Sequence, residues 1–292
     1  MHSFSIRTDL ACEAEATHDK GKRGTDYDEK NADGFKVATL RVLDAEGERV
    51  TAKPKGTYVT VFTELICDIG EERLSALASL LANEIGALAK KALGHSPASV
   101  LVAGLGNREI TADRIGPMTV DRLTVTRHIE AHDKKLFDSL CRTPVCAIAP
   151  GVLGQTGVET AELLRGICDR ARPELVIAID ALAARSTARL GATVQISDSG
   201  ISPGSGIGNR RSAVDKATLG VPVLAVGVPT VVNSATLVYD ALQSAGYGEI
   251  DDRIERVLRA GESFFVSPRQ SDRISDSVST LLANALDTLF LY

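Results

Sequence analysis

Four short apolar runs, each halted by Gly, Asp or Pro, constrain this chain more than any other feature: Val100-Leu-Val-Ala-Gly104, Val145-Cys-Ala-Ile-Ala-Pro150, Leu175-Val-Ile-Ala-Ile-Asp180 and Val223-Leu-Ala-Val-Gly-Val-Pro229. A strand that alternates apolar and polar residues can leave one face in water. A strand without polar residues needs cover on both faces, which is the situation of a parallel sheet between helices. Helical stretches over residues 157–172 and 234–245 separate some of the runs. The expected class is therefore α/β, a mostly parallel sheet flanked by helices.

Ahead of that region, residues 37–43 and 58–66 are rich in β-branched side chains. They predict a small antiparallel hairpin region at about 37–66, appended on the N-terminal side, with its turn at Asp44-Ala-Glu-Gly-Glu48. Leu74, Leu77, Leu80, Leu81, Ile85 and Leu88 fall on one face of a helix over 71–93, and an amphipathic helix over about 271–289 closes the chain. The first 35 residues are polar and read as a loosely ordered, solvated segment. With no internal repeat or low-complexity linker, residues 10–292 are expected to form a single domain.

Composition narrows the function. The 292 residues are 44% hydrophobic and 24% charged, with a net charge of -5. A protein built to hold nucleic acid carries a basic excess, so no direct nucleic-acid role is expected. Cys12, Cys67, Cys141, Cys146 and Cys168 are irregularly spaced and contain no C-x-x-C pair, which fits a reducing cytoplasm rather than a disulfide scaffold. No apolar run reaches about 18 residues, so no membrane span is expected.

In an open parallel sheet ligands bind beyond the carboxyl ends of the strands. Asp180, directly after five apolar residues, is thus a candidate for chemistry, unless it merely caps a helix beginning near Ala181. Asp113 follows the first apolar run and could share that edge, unless Thr111 or Asp113 merely starts a short helix. Two neighbouring carboxylates can divide the work, one activating water and the other donating a proton. Gly200-Ile-Ser202-Pro203-Gly204 matches G-x-S-x-G, but the residue after the serine is a proline and has no N–H for an oxyanion hole. Pro203-Gly-Ser-Gly-Ile-Gly-Asn209 resembles a phosphate cradle without fitting either nucleotide motif. His128-Ile-Glu130-Ala-His132 lacks the order of a zinc-protease helix, and no cysteine has an adjacent His to activate it.

Several longer blocks go beyond generic α/β sequence. They are Arg7-Thr-Asp-Leu-Ala11, Gly104-Leu-Gly-Asn107, Asp113-Arg-Ile-Gly-Pro117, Val125-Thr-Arg-His128 and Ala149-Pro-Gly-Val-Leu-Gly-Gln-Thr-Gly157. Ala178-Ile-Asp-Ala-Leu-Ala-Ala-Arg-Ser186, Gln195-Ile-Ser-Asp-Ser-Gly-Ile201, Pro203 to Asn209 and Gly227-Val-Pro-Thr-Val-Val232 follow in order. Together they closely resemble the germination (spore) protease family of endospore-forming bacteria.

The resemblance implies a fold like that of hydrogenase maturation endopeptidases. It also implies an endopeptidase that degrades small acid-soluble spore proteins in the spore core, cleaving after an acidic residue. The enzyme would be a homotetramer made as a zymogen, with residues 1–9 as a propeptide lost by self-cleavage between Asp9 and Leu10. Asp113 and Asp180 take the family's proposed catalytic positions, with no metal or other cofactor. Arg127 and Arg185 are candidates to receive the acidic side chain, although a salt bridge to a structural carboxylate is the slightly better explanation of either. Asn233 departs from the acidic residue usual after Val231-Val232. Two rival readings remain: a metal-dependent peptidase with His128 joining Asp113 or Asp180 as ligands, and a regulatory module binding a phosphorylated ligand at Gly204 to Gly208.

Overall fold

All four apolar runs form strands of one sheet. The computed structural model describes residues 8–14, 24–140, 142–204, 212–247, 251–261 and 263–291. Its strands are β1 (Thr25–Ala32), β2 (Phe35–Val42), β3 (Gly56–Phe62), β4 (Val100–Gly104), β5 (Val145–Ile148), β6 (Leu175–Ala184), β7 (Thr193–Ser197), β8 (Val223–Asn233) and β9 (Phe265–Val266). They are ordered β1-β2-β3-β7-β8-β6-β4-β5, with β9 on β8. The apolar strands β8, β6, β4 and β5 are mutually parallel, while β1, β2, β3, β7 and β8 are joined antiparallel.

The α/β class holds, with one change of arrangement. The antiparallel strands continue the parallel sheet through β7 instead of forming an appendage, because β7 pairs β3 on one edge and β8 on the other.

The helices are α1 (Ala45–Thr51), α2 (Glu71–Leu93), α3 (Ile115–Arg122), α4 (Arg127–His132), α5 (Lys134–Leu140), α6 (Leu153–Thr156), α7 (Thr160–Ala171), α8 (Lys216–Leu219), α9 (Ser234–Ser244), α10 (Asp252–Ala260) and α11 (Ser271–Leu291). Helices α2 and α11 cover one face, where Leu81, Ile85, Leu282 and Phe290 join Val102, Ile177 and Val226 in the main core. On the other face Leu164 and Cys168 of α7 and Leu219 of α8 join Leu101, Val176, Ala178 and Val223. Successive strand residues thus feed opposite cores, as the two-residue period demands. No helix among the described residues is long and apolar enough to cross a membrane.

Two N-terminal expectations are corrected. Residues 25–32 are not loose but form β1, hairpinned to β2 across Asp33-Gly34, both at positive φ. Polarity misleads here because β1 is an edge strand, where charge protects the open edge; Asp26 and Glu29 pair with Arg41 and Lys36 of β2. The turn expected at residues 44–48 is the start of α1, with the Asp44 carboxylate accepting from Gly47 N at 3.0 Å. Asp favours helix N-caps and turns alike, so composition alone does not separate them.

Candidate active site

The sheet register builds the site. Thr60 pairs with Gln195, Gln195 with Gly227 and Gly227 with Asp180, giving one row across β3, β7, β8 and β6. Val194, Ile196 and Val226 point into the α2–α11 core, so Gln195, Gly227 and Asp180 belong to the opposite face. Neighbouring strands lie about 4.8 Å apart, which leaves on the order of 10 Å between the Asp180 and Gln195 backbones. Gly227 has no side chain in this row, and the Leu182 side chain packs over it. A Cβ on it would come within 2.5 Å of Leu182 Cδ1. Gly227→Ala is therefore expected to cost about 1–3 kcal/mol by overpacking, and to lower hydrolysis by up to about 10²-fold through displacement of its neighbours. Thermal melting and a peptide-cleavage assay check this, and wild-type values in both would contradict it.

Asp180 does not cap a helix. β6 runs on to Ala184, and the carboxylate accepts from Ala181 N at 2.9 Å. Its place at the sheet edge comes from stagger: β4 stops at Gly104, level with Ile179. Asp180 is buried at 5% exposure.

Asp113 ends a 3₁₀ turn between β4 and α3. α3 presses on the sheet so closely that a Cβ on Gly104 would lie 2.2 Å from the Gly116 carbonyl. The turn is tied from three sides. Thr230 Oγ1 donates to the Ala112 carbonyl at 2.6 Å, Ser275 Oγ donates to Thr111 O at 2.8 Å, and Asn107 N donates to the Asp113 carboxylate at 2.7 Å. Thr230 is available because the β6–β8 register shifts between Leu182 and Ala183, where Leu182 faces Pro229 and Ala183 faces Val231. Pro229 has no N–H for a regular ladder, and the bulge frees the next side chain for this contact.

Both carboxylates line one cavity of about 540 Å³, together with Asp9, Lys53, Gln195 and Ser202. The N-terminal segment reaches into it. Asp9 N donates to Ala183 O at 2.8 Å, and Ala183 N donates to the Asp9 carboxylate at 2.9 Å. Leu10 is fully buried beside Leu182, Ala184, Leu190 and Val232. Lys53 Nζ donates to Thr8 O at 2.9 Å. Burial pushes its ammonium below the usual lysine value, against the opposing pull of Asp9 and Glu13. Lys53 was missed from sequence, since a lone lysine between Ala52 and Pro54 carries no motif.

The two arginines part company. Arg185 is half-buried and holds Asp240 in a bidentate pair, with Nη2 at 2.7 Å and Nε at 2.9 Å. Arg127 opens α4 on the surface and is not among the cavity-lining residues. His128 and His132 share that exposed helix, so His128 is not brought to either aspartate in the lining. Among the described residues no group of three or more His, Cys, Asp or Glu is arranged to hold a metal ion.

Ser202 reaches the cavity but precedes Pro203. Gly204 is described, while the rest of the suggested phosphate cradle, residues 205–209, lies outside the described residues. Burial raises the Cys12 and Cys168 thiols to about 11, opposite to what a thiolate nucleophile needs. Asn233 caps α9, accepting from Ala235 N and Thr236 N, a task Asn performs as well as Asp.

Against known proteins, the profile described as germination protease matches residues 6–247. This chain belongs to the germination protease family. The germination protease of Clostridium acetobutylicum is 38% identical, over 97% of this chain and 94% of its own. That of Caldanaerobacter subterraneus subsp. tengcongensis is 44% identical, over 82% of this chain and 73% of its own. Family membership makes the chain a peptidase of spore germination. Among solved structures, the [NiFe] hydrogenase maturation protease HycI from Thermococcus kodakarensis aligns at 13% identity with a TM-score of 0.30, covering 65% of this chain and 96% of that one. Superposition at that score is too poor to bear on the germination protease fold described above.

Proposed function

We propose that this germination protease is an aspartate-dependent endopeptidase of the spore core that degrades small acid-soluble spore proteins, cutting after an acidic residue. It is made as a zymogen and removes residues 1–9 itself. One observation supports this reading above all: Asp9, the acidic residue directly before Leu10, lines the same cavity as Asp113 and Asp180. In the reaction one ionised carboxylate takes a proton from water as its oxygen attacks the carbonyl carbon. The other carboxyl protonates the leaving nitrogen. The two act as a coupled pair and are assigned as one.

Leu10 in its apolar pocket supplies the residue after the cut, and the Ala183 N–H supplies a fixed donor for the acidic side chain before it. Incubated alone, the full chain is expected to shed residues 1–9 and expose Leu10 to N-terminal sequencing, whereas Asp180→Asn should stay intact. Loss of the same nine residues by that variant, freed of other proteases, would refute self-cleavage.

The working form is a homotetramer in this reading. Exposed Val238 on α9, Val257 on α10 and Phe264 beside β9 are apolar side chains such an interface would cover. Light scattering should return four chains per particle, and a monomeric mass at micromolar concentration would contradict it.

A further inference from the structure

Gln195 grips the N-terminal segment on both sides of Leu10. Its Nε2 donates to the Asp9 carbonyl at 3.2 Å, and its Oε1 accepts from Ala11 N at 2.6 Å. These partners fix which end of the carboxamide is which, since the Ala11 N–H needs an oxygen and the Asp9 carbonyl needs an N–H. The residue is buried at 8% exposure on β7, where an amide is costly unless both its polar ends are bonded. Here both ends are bonded, and both to the main chain of the segment. Asp180 stands two strands away in the same row, beyond Gly227, and lines the same cavity. A carboxylate and a carboxamide thus line the cavity that the segment reaches.

We propose that Gln195 is a catalytic residue of this site: its Nε2–H polarises the carbonyl before the scissile bond and stabilises the oxyanion that forms there. Its Oε1 meanwhile holds the N–H of the second residue beyond the cut and sets the register of the chain. The inference rests on the reading that Asp9–Leu10 is a bond this site cleaves. When water attacks, its oxygen bonds to the Asp9 carbonyl carbon and its proton passes to the ionised carboxylate. The carbonyl π electrons move onto the oxygen that Gln195 already contacts. Collapse restores the C=O, breaks the C–N bond and delivers the proton of the other carboxyl to the Leu10 nitrogen. The products are the Asp9 carboxyl and the Leu10 amine. A donor held in place before charge develops acts at full strength in a site that excludes water. Because both contacts are to backbone, Gln195 serves any extended substrate and leaves the choice of side chain to other groups.

The test follows self-cleavage of the full-length chain by intact mass, with Asp180→Asn run in parallel. Gln195→Glu keeps the size and the acceptor for Ala11 N but loses the neutral-pH donor. Gln195→Leu loses both. Each is expected to slow cleavage about 10²- to 10³-fold, the usual cost of one oxyanion donor, with melting curves showing a folded protein at the assay temperature. If either fails that check, Gln195→Asn, one methylene short of the carbonyl, takes its place with the same slowing expected. Wild-type rates in folded Gln195 variants while Asp180→Asn is inert would overturn this inference alone. Cleavage by Asp180→Asn, or none by the wild type, would overturn the reading beneath it.

Discussion

Asp180→Asn and Asp113→Asn are each expected to reduce peptide hydrolysis about 10²- to 10⁴-fold, the range for loss of one essential acid–base group, while the protein stays folded. The substitution removes a titratable proton and little else. The carboxylate of Asp180 accepts from Ala181 N and that of Asp113 from Asn107 N, and an Asn carbonyl can take either bond. Each backbone segment is also held by other contacts, Asp180 by its pairing with Gly227 and the Asp113 turn by Thr230 and Ser275. Melting temperature and single-turnover hydrolysis, measured on the same preparations, separate the two effects. Full activity in a folded single variant removes that residue from the chemistry. A collapse of the fold would instead make its role structural.

Leu10→Ala should be the most destabilising single change in the N-terminal segment. Leu10 is fully buried among Leu182, Ala184, Leu190 and Val232, so truncation leaves a cavity where those side chains met it. Core Leu→Ala changes cost about 2–5 kcal/mol. In urea the midpoint of the full-length variant should fall accordingly, and self-cleavage should slow because the bond is no longer seated. A shift below about 0.5 kcal/mol, the range of an ordinary surface change, would mean that Leu10 does not occupy this pocket in the full-length chain.

The apolar strands were legible because strands covered on both faces have little room for polar side chains, and the bounds of α2 because its apolar stripe has a helical period. β1 was not, because an edge strand with both faces largely in water has the composition of a loop. Asp180 was legible as a residue at the sheet edge. That it lies within β6 was not, since its position depends on where a different strand, β4, stops. Arg185 could not be assigned because its partner Asp240 is far along the chain. Gln195 and Gly227 stand inside motifs that were noticed, yet their shared row with Asp180 is a property of the β7–β8–β6 register. No local pattern encodes it. Lys53 comes to the cavity only because the link between α1 and β3 folds beside the N-terminal segment.

The central claim is that paired aspartates in this cavity cut peptide bonds after acidic residues. Its most direct test incubates the purified protein with a small acid-soluble spore protein and maps every new terminus by mass spectrometry. Asp113→Asn and Asp180→Asn proteins are carried through the same incubation. The account predicts cleavage at one or a few bonds, each preceded by Asp or Glu, from the wild-type protein and none from either variant in the same time. Cuts that follow no acidic residue, or the same cuts from a folded Asp180→Asn protein, would contradict it.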